Sequence, residues 1–181
     1  MRFFELEDDV HVGGRWHLGQ VLGAGGKEPR LRVGIAYAGG ELSGRIDRPG
    51  GELDFQLTSF AVPVLRTRLA AKMDCVAGPD IQRIPLALGE HDGFEVLNAL
   101  RTVACLDEGR SEFTKWTDKD RRSDRIGHYR MVTRLRIDVS RVPRDADIFR
   151  VEGWLVALIV SERLKAAMEA VGCRGAKFVE V

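Results

Sequence analysis

Residues 103–116, VACLDEGRSEFTKW, place Cys105, Asp107, Glu108, Ser111, Glu112 and Trp116 within one short stretch. A cysteine nucleophile needs a base within hydrogen-bond reach and an acid to orient that base. Cys105, His128 and either Asp107 or Asp138 supply those residue types. Yet Cys105 continues the apolar run FEVLNALRTVACL, with no nucleophile elbow or helix N-terminus in view to lower its pKa. Ser111 lacks a GxSxG frame. Asp107, Glu108 and Glu112 have the chemistry of paired carboxylates or cation ligands. Just past a strand they read more simply as a solvated turn, with Ser111 capping a short helical turn. A small hydrolase using Cys105 and His128 is therefore the alternative reading, and no catalytic residue is expected.

Other chemistries fail on spacing. VLGAGGKEP holds Gly26-Lys27, but Val21 stands where a P-loop needs glycine and Glu28 where it needs Ser or Thr. The same Glu28 breaks GxGxxG, which leaves a hairpin turn. His11, His17, His91 and His128 form no HxH, HExxH or Cys/His cluster, so neither a metal nor a cofactor is expected. The run 119–136, KDRRSDRIGHYRMVTRLR, carries seven Lys or Arg against two Asp. A nucleic-acid-binding regulator is a further alternative there, although no RNP, helix-turn-helix or zinc-finger pattern accompanies it. A charged strand face guarding a sheet edge explains the run equally well.

The elements that must position these residues belong to a chain of 181 residues with a net charge of +1, long enough to bury its own core. That balance gives no bulk attraction to nucleic acid or membrane. MRFFELEDDV has no signal-peptide core, and the longest apolar run, WLVALIV, is too short to span a bilayer. Cys75, Cys105 and Cys173 are odd in number and widely spaced, the pattern of reduced, buried thiols in a cytoplasmic protein.

RFFEL, RWHLGQVL, RLRVGIAY, ELSGRI and ELDFQLTSF read as strands between glycine turns, an antiparallel meander. VPVLRTRLAAKMDCVAGPD reads as a helix with Leu69, Met73 and Val76 on one face, stopped by Gly78 as a left-handed cap and by Pro79. IQRIPLAL and FEVLNALRTVACL form a hairpin around GEHDG, with Pro85 favouring an edge strand. Residues 107–128 are polar and show no regular structure. HYRMVTRLRIDVSRV alternates as a strand with one wet face, with Met131, Thr133, Leu135 and Ile137 against Val132, Arg134 and Arg136. DIFRVEGWLVALIV continues extended. SERLKAAMEAVG is a helix with Ser161 as N-cap, Glu162 in its first turn and Gly172 at its end, and AKFVEV closes as a strand. VLRTRLAAKMDCVAG and IVSERLKAAMEAVGC align without a gap, which suggests an internal strand–helix–strand duplication. The expected fold class is α+β, with antiparallel and mixed β-sheets and two main helices. It is expected as one domain over 1–181, with a β-rich part over 1–57 and an α+β part over 58–181.

RFFELEDDVHVGGRWHLG, DFQLTSFAVPVLRTRLAAKM, VLNALRTVACLDEGRSEF and IFRVEGWLVALIVSERLKAAMEAVG together resemble a bacterial family of polymorphic-toxin immunity proteins, immunity family eleven, first described as a domain of unknown function. Leu97-Asn98 with the Cys105–Ser111 segment, and Gly153-Trp154 with Ser161-Glu162, carry most of the likeness. Arg66-Thr67 departs from the family's frequent Ser-Glu and leaves the first helix with a weaker cap. The resemblance implies a cytoplasmic inhibitor that binds a cognate toxin, often a nuclease delivered by contact-dependent or type VI secretion. It implies no cofactor, no membrane and no direct nucleic acid.

Within such an inhibitor, the long polar stretch is the expected contact surface: Asp107, Glu108, Glu112, Trp116, Lys119, Arg121, Arg122 and Arg125. Trp116 has little aliphatic company there and is expected to fold back onto the core. Exposed beside Arg121 and Arg122, it has the composition of a protein–protein hot spot.

Overall fold

The computed structural model describes residues 1–181. Its elements are β1 (Phe3–Asp8), β2 (His17–Leu22), β3 (Leu42–Arg48), β4 (Phe55–Leu57), β5 (Pro63–Arg66), α1 (Thr67–Ala77), β6 (Ile81–Ala87) and β7 (Phe94–Ala99). After them come β8 (Thr102–Val103), β9 (Glu112–Lys115), β10 (Tyr129–Arg134), β11 (Ile148–Val151), β12 (Trp154–Ser161), α2 (Glu162–Ala170) and β13 (Ala176–Glu180). Three sheets result: a five-stranded one in the order β13-β1-β12-β11-β8, a six-stranded one in the order β2-β3-β6-β7-β5-β4, and the pair β10-β9. The α+β class with mixed sheets and two helices is what the structure shows.

The N-terminal third is not a meander. β1 leaves for the five-stranded sheet, where it lies between β12 and β13, and β3 joins β6 in parallel. RLRVGIAY forms no strand. Gly34 at φ 71° breaks its extended run, and side-chain amides replace a ladder. Gln82 Nε2 donates to Tyr37 O at 2.8 Å, its Oε1 accepts from Tyr37 N at 2.8 Å, and Asn98 Nδ2 donates to Ile35 O at 2.9 Å.

FEVLNALRTVACL also splits. β7 pairs with β5 and β6, whereas β8 runs parallel to β11 in the other sheet. At the crossing, Leu100 N donates to Asp80 O at 2.8 Å and Arg101 O accepts Arg150 N at 2.9 Å. β6 is interior in the sheet order rather than the edge strand expected from Pro85. The missing proline N–H is tolerated because β3 reaches only Leu86 and Ala87, beyond it.

Both helices pack into one core cluster. Leu69 and Met73 of α1 meet Leu164 and Met168 of α2, with Phe4, Phe55, Leu97 and Leu158 from the sheets, while Val76 packs at the margin. Ser161 caps α2 as expected, its Oγ accepting from Leu164 N at 3.2 Å, and Gly172 at φ 65° ends it. Arg66 offers α1 no side-chain cap. Gly78 is right-handed (φ −44°), not the expected left-handed cap, because a 3-10 turn over Gly78–Asp80 extends the helix through Pro79.

The likeness of the two helices has a counterpart in geometry. β4-β5-β7-β6 around α1 has the same antiparallel order as β11-β12-β1-β13 around α2. Arg68 bonds Asp54 at 2.6 Å as Arg163 bonds Asp147 at 2.7 Å. Arg66 N donates to Asp54 O, and Ser161 N to Asp147 O, both at 2.9 Å. Leu100 N donates to Asp80 O, and Asp9 N to Gly175 O, both at 2.8 Å. β6 follows α1 as β13 follows α2, but β7 comes next after β6 in the chain, whereas the corresponding β1 opens it. This is an equivalence of contacts; the duplication itself stays a proposal.

The middle of β1 carries a titratable group. Glu5 lies opposite Ile159 and Val179, and burial, then the neighbouring Glu7, push its carboxyl up to about 7. The folded state therefore holds this proton where the unfolded chain releases it. The stability Glu5 contributes is fully present below the ordinary glutamate pKa and is lost as pH rises through about 7. Glu5→Gln is expected to stabilise by about 2 kcal/mol more at pH 8 than at pH 5.5. Paired calorimetric melts at the two pH values check this, and an equal gain at both would contradict it.

Candidate functional site

The polar stretch expected to lack regular structure folds as a ribbon. EFTK of β9 alternates Phe113 and Lys115 with Glu112 and Thr114 and pairs antiparallel with β10. Phe113 packs edge-on against Tyr129 at 5.3 Å, and Lys115 Nζ lies 5.4 Å and 5.0 Å from the two ring centroids. Tyr129 and Val132 rest on the second core cluster, which includes Val103, Cys105, Leu106, Leu135, Ile137 and Phe149. Bulges between Tyr129 and Met131 and between Val132 and Arg134 interrupt the expected alternation of β10. Met131 and Thr133 are consequently exposed, while Leu135 and Ile137 beyond the strand are buried.

At the base of the ribbon, Asp107 accepts from Gly109 N (2.9 Å), Arg110 N (3.2 Å) and Arg110 Nε (2.6 Å). The bonded Arg110 guanidinium holds the Asp107 carboxyl below the usual range. Glu108 accepts from Lys115 Nζ and from the Tyr129 hydroxyl, both at 2.6 Å, and these donors, the lysine first, lower its pKa. Burial, with help from Glu108, pushes the Tyr129 phenol up to about 12. Glu112 stands opposite Arg134, with 3.5 Å between carboxylate and guanidinium.

At the far end, Trp116 N donates to His128 O and Gly127 N to Trp116 O, each at 2.9 Å, which closes the loop between the strands. A capping box between Thr117 and Asp120 shapes its first turn, and these bonds lower the Asp120 pKa. Lys119 and Arg121 make no ion pair and are exposed, Arg121 in the left-handed region at φ 53°. Arg122 chelates Asp124 through Nε and Nη2, both at 3.0 Å, and Arg125 Nε lies 3.8 Å from the same carboxylate. Trp116 does not fold back into the core: it is half-buried, outside all three core clusters, with the Arg130 guanidinium 4.9 Å from its ring centroid. All eight expected contact residues therefore lie on one ribbon, the acids toward its base and the cations toward its tip.

Sequence reasoning passed over Arg130, which stacks on Trp116 and bonds Asp120 at 2.6 Å, and over the exposed Ile126 and Met131. It also missed a cleft of about 500 Å³ at the ribbon base, which Asp107, Glu108, Asp138 and Glu152 line together with Tyr129 and Arg141. Those residues come from four separate segments, so no local spacing could reveal the cleft. The site thus has an acidic cleft at one end and a basic, partly apolar tip at the other.

The cysteine–histidine pair does not form. Cys105 is fully buried, and burial pushes its thiol up to about 11. Asp138 N donates to Cys105 O at 2.7 Å, at the end of β10 opposite to His128. The intervening strand spans roughly 20 Å at about 3.3 Å per residue. Of the three thiols expected to be buried, only this one is: Cys75 is exposed and Cys173 half-buried. Iodoacetamide is expected to modify Cys75 rapidly in the native protein and Cys105 only on unfolding, as mass spectrometry of labelled peptides would show. Fast native labelling of Cys105 would contradict this placement.

No helix is long and apolar enough to cross a membrane. No curated protein matches the chain. The family model described as Immunity protein family (Imm11) matches residues 94–181, beginning at the first residue of β7. The match takes in the ribbon, the cleft and the unit around α2 except for β1, and leaves the likeness noted for the first 93 residues outside it. Residues 94–181, just under half of the chain, are thus similar to the Imm11 immunity protein family.

Proposed function

We propose that this chain is an immunity protein that binds a cognate secreted toxin in the cytoplasm of the producing cell and neutralises it by complex formation, without catalysis. The ribbon of β9 and β10 is the contact element. The observation that carries this reading is the tip of the ribbon, where the half-buried Trp116 under Arg130 adjoins exposed Ile126 and Met131 and the unpaired cations Lys119 and Arg121. An aromatic–arginine pair ringed by charge is the composition of a binding hot spot. The cations favour a toxin surface of opposite charge and quicken encounter, while the cleft, where Asp138 and Glu152 join the ion-paired Asp107 and Glu108, offers the ribbon base to a basic side chain of the same toxin. A nuclease is a toxin class that fits the acidic cleft, since its substrate-binding surface is basic. The whole chain is proposed to act as one domain, with the 1–57 part supporting the family-matched region through β1.

The test is co-expression with the C-terminal toxin domain of a secreted multidomain protein encoded beside this chain. Growth restored by the wild-type chain, with both proteins co-purifying, is the expected result. Unrelieved toxicity with no complex would sink the reading.

A further inference from the structure

Arg150 of β11 is fully buried and has no carboxylate partner. Its Nη1 donates to Val156 O at 2.8 Å and its Nη2 to Ala61 O at 3.1 Å, while Nε has no partner. A buried guanidinium held only by carbonyls is costly. Burial, and then the nearby Arg32, bring its pKa down to about 9. The two carbonyls share one guanidinium, so the β4–β5 turn and the middle of β12 are held side by side.

That turn is tightly built. Thr58 N donates to Val62 O at 3.0 Å and Ala61 N to Thr58 O at 2.9 Å, and Thr58 Oγ1 accepts from Val62 N at 3.3 Å. Ala61 sits in the left-handed region at φ 55°, a conformation that costs a side-chain-bearing residue about 1 kcal/mol. The turn presents Phe60, 45% exposed, and Val156 across the shared guanidinium is also 45% exposed. Arg32, which makes no ion pair, lines the same recess as Phe60; Glu28 lines it too and does not pair with Arg32. Exposed Phe60, exposed Val156 and Arg32, which makes no ion pair, are thus grouped around the buried Arg150.

We infer that Phe60, Val156 and Arg32 form a second protein-contact surface, whose occupant is a partner segment carrying an apolar side chain next to an aspartate or glutamate. Phe60 and Val156 take the apolar side chain. The carboxylate lies at Arg32, within the field of the buried Arg150, whose charge is little screened in the apolar interior. Arg150 is a positioning residue that fixes the turn. This surface rests on reading the chain as a protein-binding inhibitor, but its test contains no toxin, so the two fail separately.

The test titrates the full chain with acetyl-Asp-Phe-Asp-Leu-Glu-amide and with its uncharged counterpart acetyl-Asn-Phe-Asn-Leu-Gln-amide, followed by NMR of the Val156 methyls and the Phe60 ring. The acidic peptide is expected to shift both signals saturably, and the amide peptide to bind about fivefold more weakly. Arg32→Ala should abolish that preference, and Phe60→Ala should weaken both peptides with an unchanged melting temperature. Equal binding of the two peptides, no saturable shift at Val156, or shifts confined to the ribbon would overturn the proposal.

Discussion

Asp147→Ala is expected to lower the stability of the fold by about 3 kcal/mol. The Asp147 side chain is nearly inaccessible, and its carboxylate accepts from the buried Ser161 hydroxyl and from Arg163 Nε and Nη2 at 3.2 and 2.7 Å. Ser161 is also the cap of α2, so the same carboxylate orients the hydroxyl whose oxygen accepts from Leu164 N. Alanine leaves that hydroxyl without its acceptor inside the protein and loosens the start of a helix that carries Leu164 and Met168 into the main core. Arg163 is largely solvated and recovers water, which limits the cost. Asp54→Ala, the counterpart at α1, is expected to cost less, about 2 kcal/mol: Arg174 N loses its acceptor, but no helix cap depends on Asp54 and Arg68 is more exposed still. Urea unfolding should show the larger midpoint shift for Asp147→Ala with little change in slope. A smaller loss for Asp147→Ala than for Asp54→Ala would contradict the capping role.

The second large effect concerns binding. Trp116→Ala with Arg121→Ala and Arg122→Ala is expected to weaken toxin affinity by at least about a hundredfold, or about 2.7 kcal/mol. Truncating Trp116 removes the aromatic platform under Arg130, and the two arginines supply exposed charge on the loop that the tryptophan closes. The fold should be nearly unaffected, because Trp116 lies outside the core clusters and the Thr117–Asp120 capping box stays intact. Much of the loss from the arginines should appear as slower association that salt mimics.

What the sequence made legible was local. Ser161, Glu162 and Gly172 define α2 by themselves, and the Leu69–Met73 and Leu164–Met168 stripes mark the faces that meet. Pairing between distant segments was not legible. Nothing in RFFELE says that β1 lies between β12 and β13 at the other end of the chain, and nothing in RLRVGIAY says that Gln82 and Asn98 take its backbone bonds. Cys105 could be read as buried from the apolar run behind it, although that run divides between two sheets. Only the β10 half of the ribbon reads as a strand in the sequence, with an alternation that its bulges break; β9, four residues long inside a polar stretch, gives no period of its own. Its candidate contact residues were found by composition alone. Arg130 and the cleft with Asp138 and Glu152 required the fold.

The most direct test of the central claim is calorimetric titration of the toxin domain into the wild-type chain and into the Trp116, Arg121 and Arg122 triple variant. Tight binding by the wild type and at least about a hundredfold weaker binding by an equally stable variant is the predicted result. Equal affinity of the two would place the interface elsewhere, and no binding by the wild type would contradict the toxin-neutralising function itself.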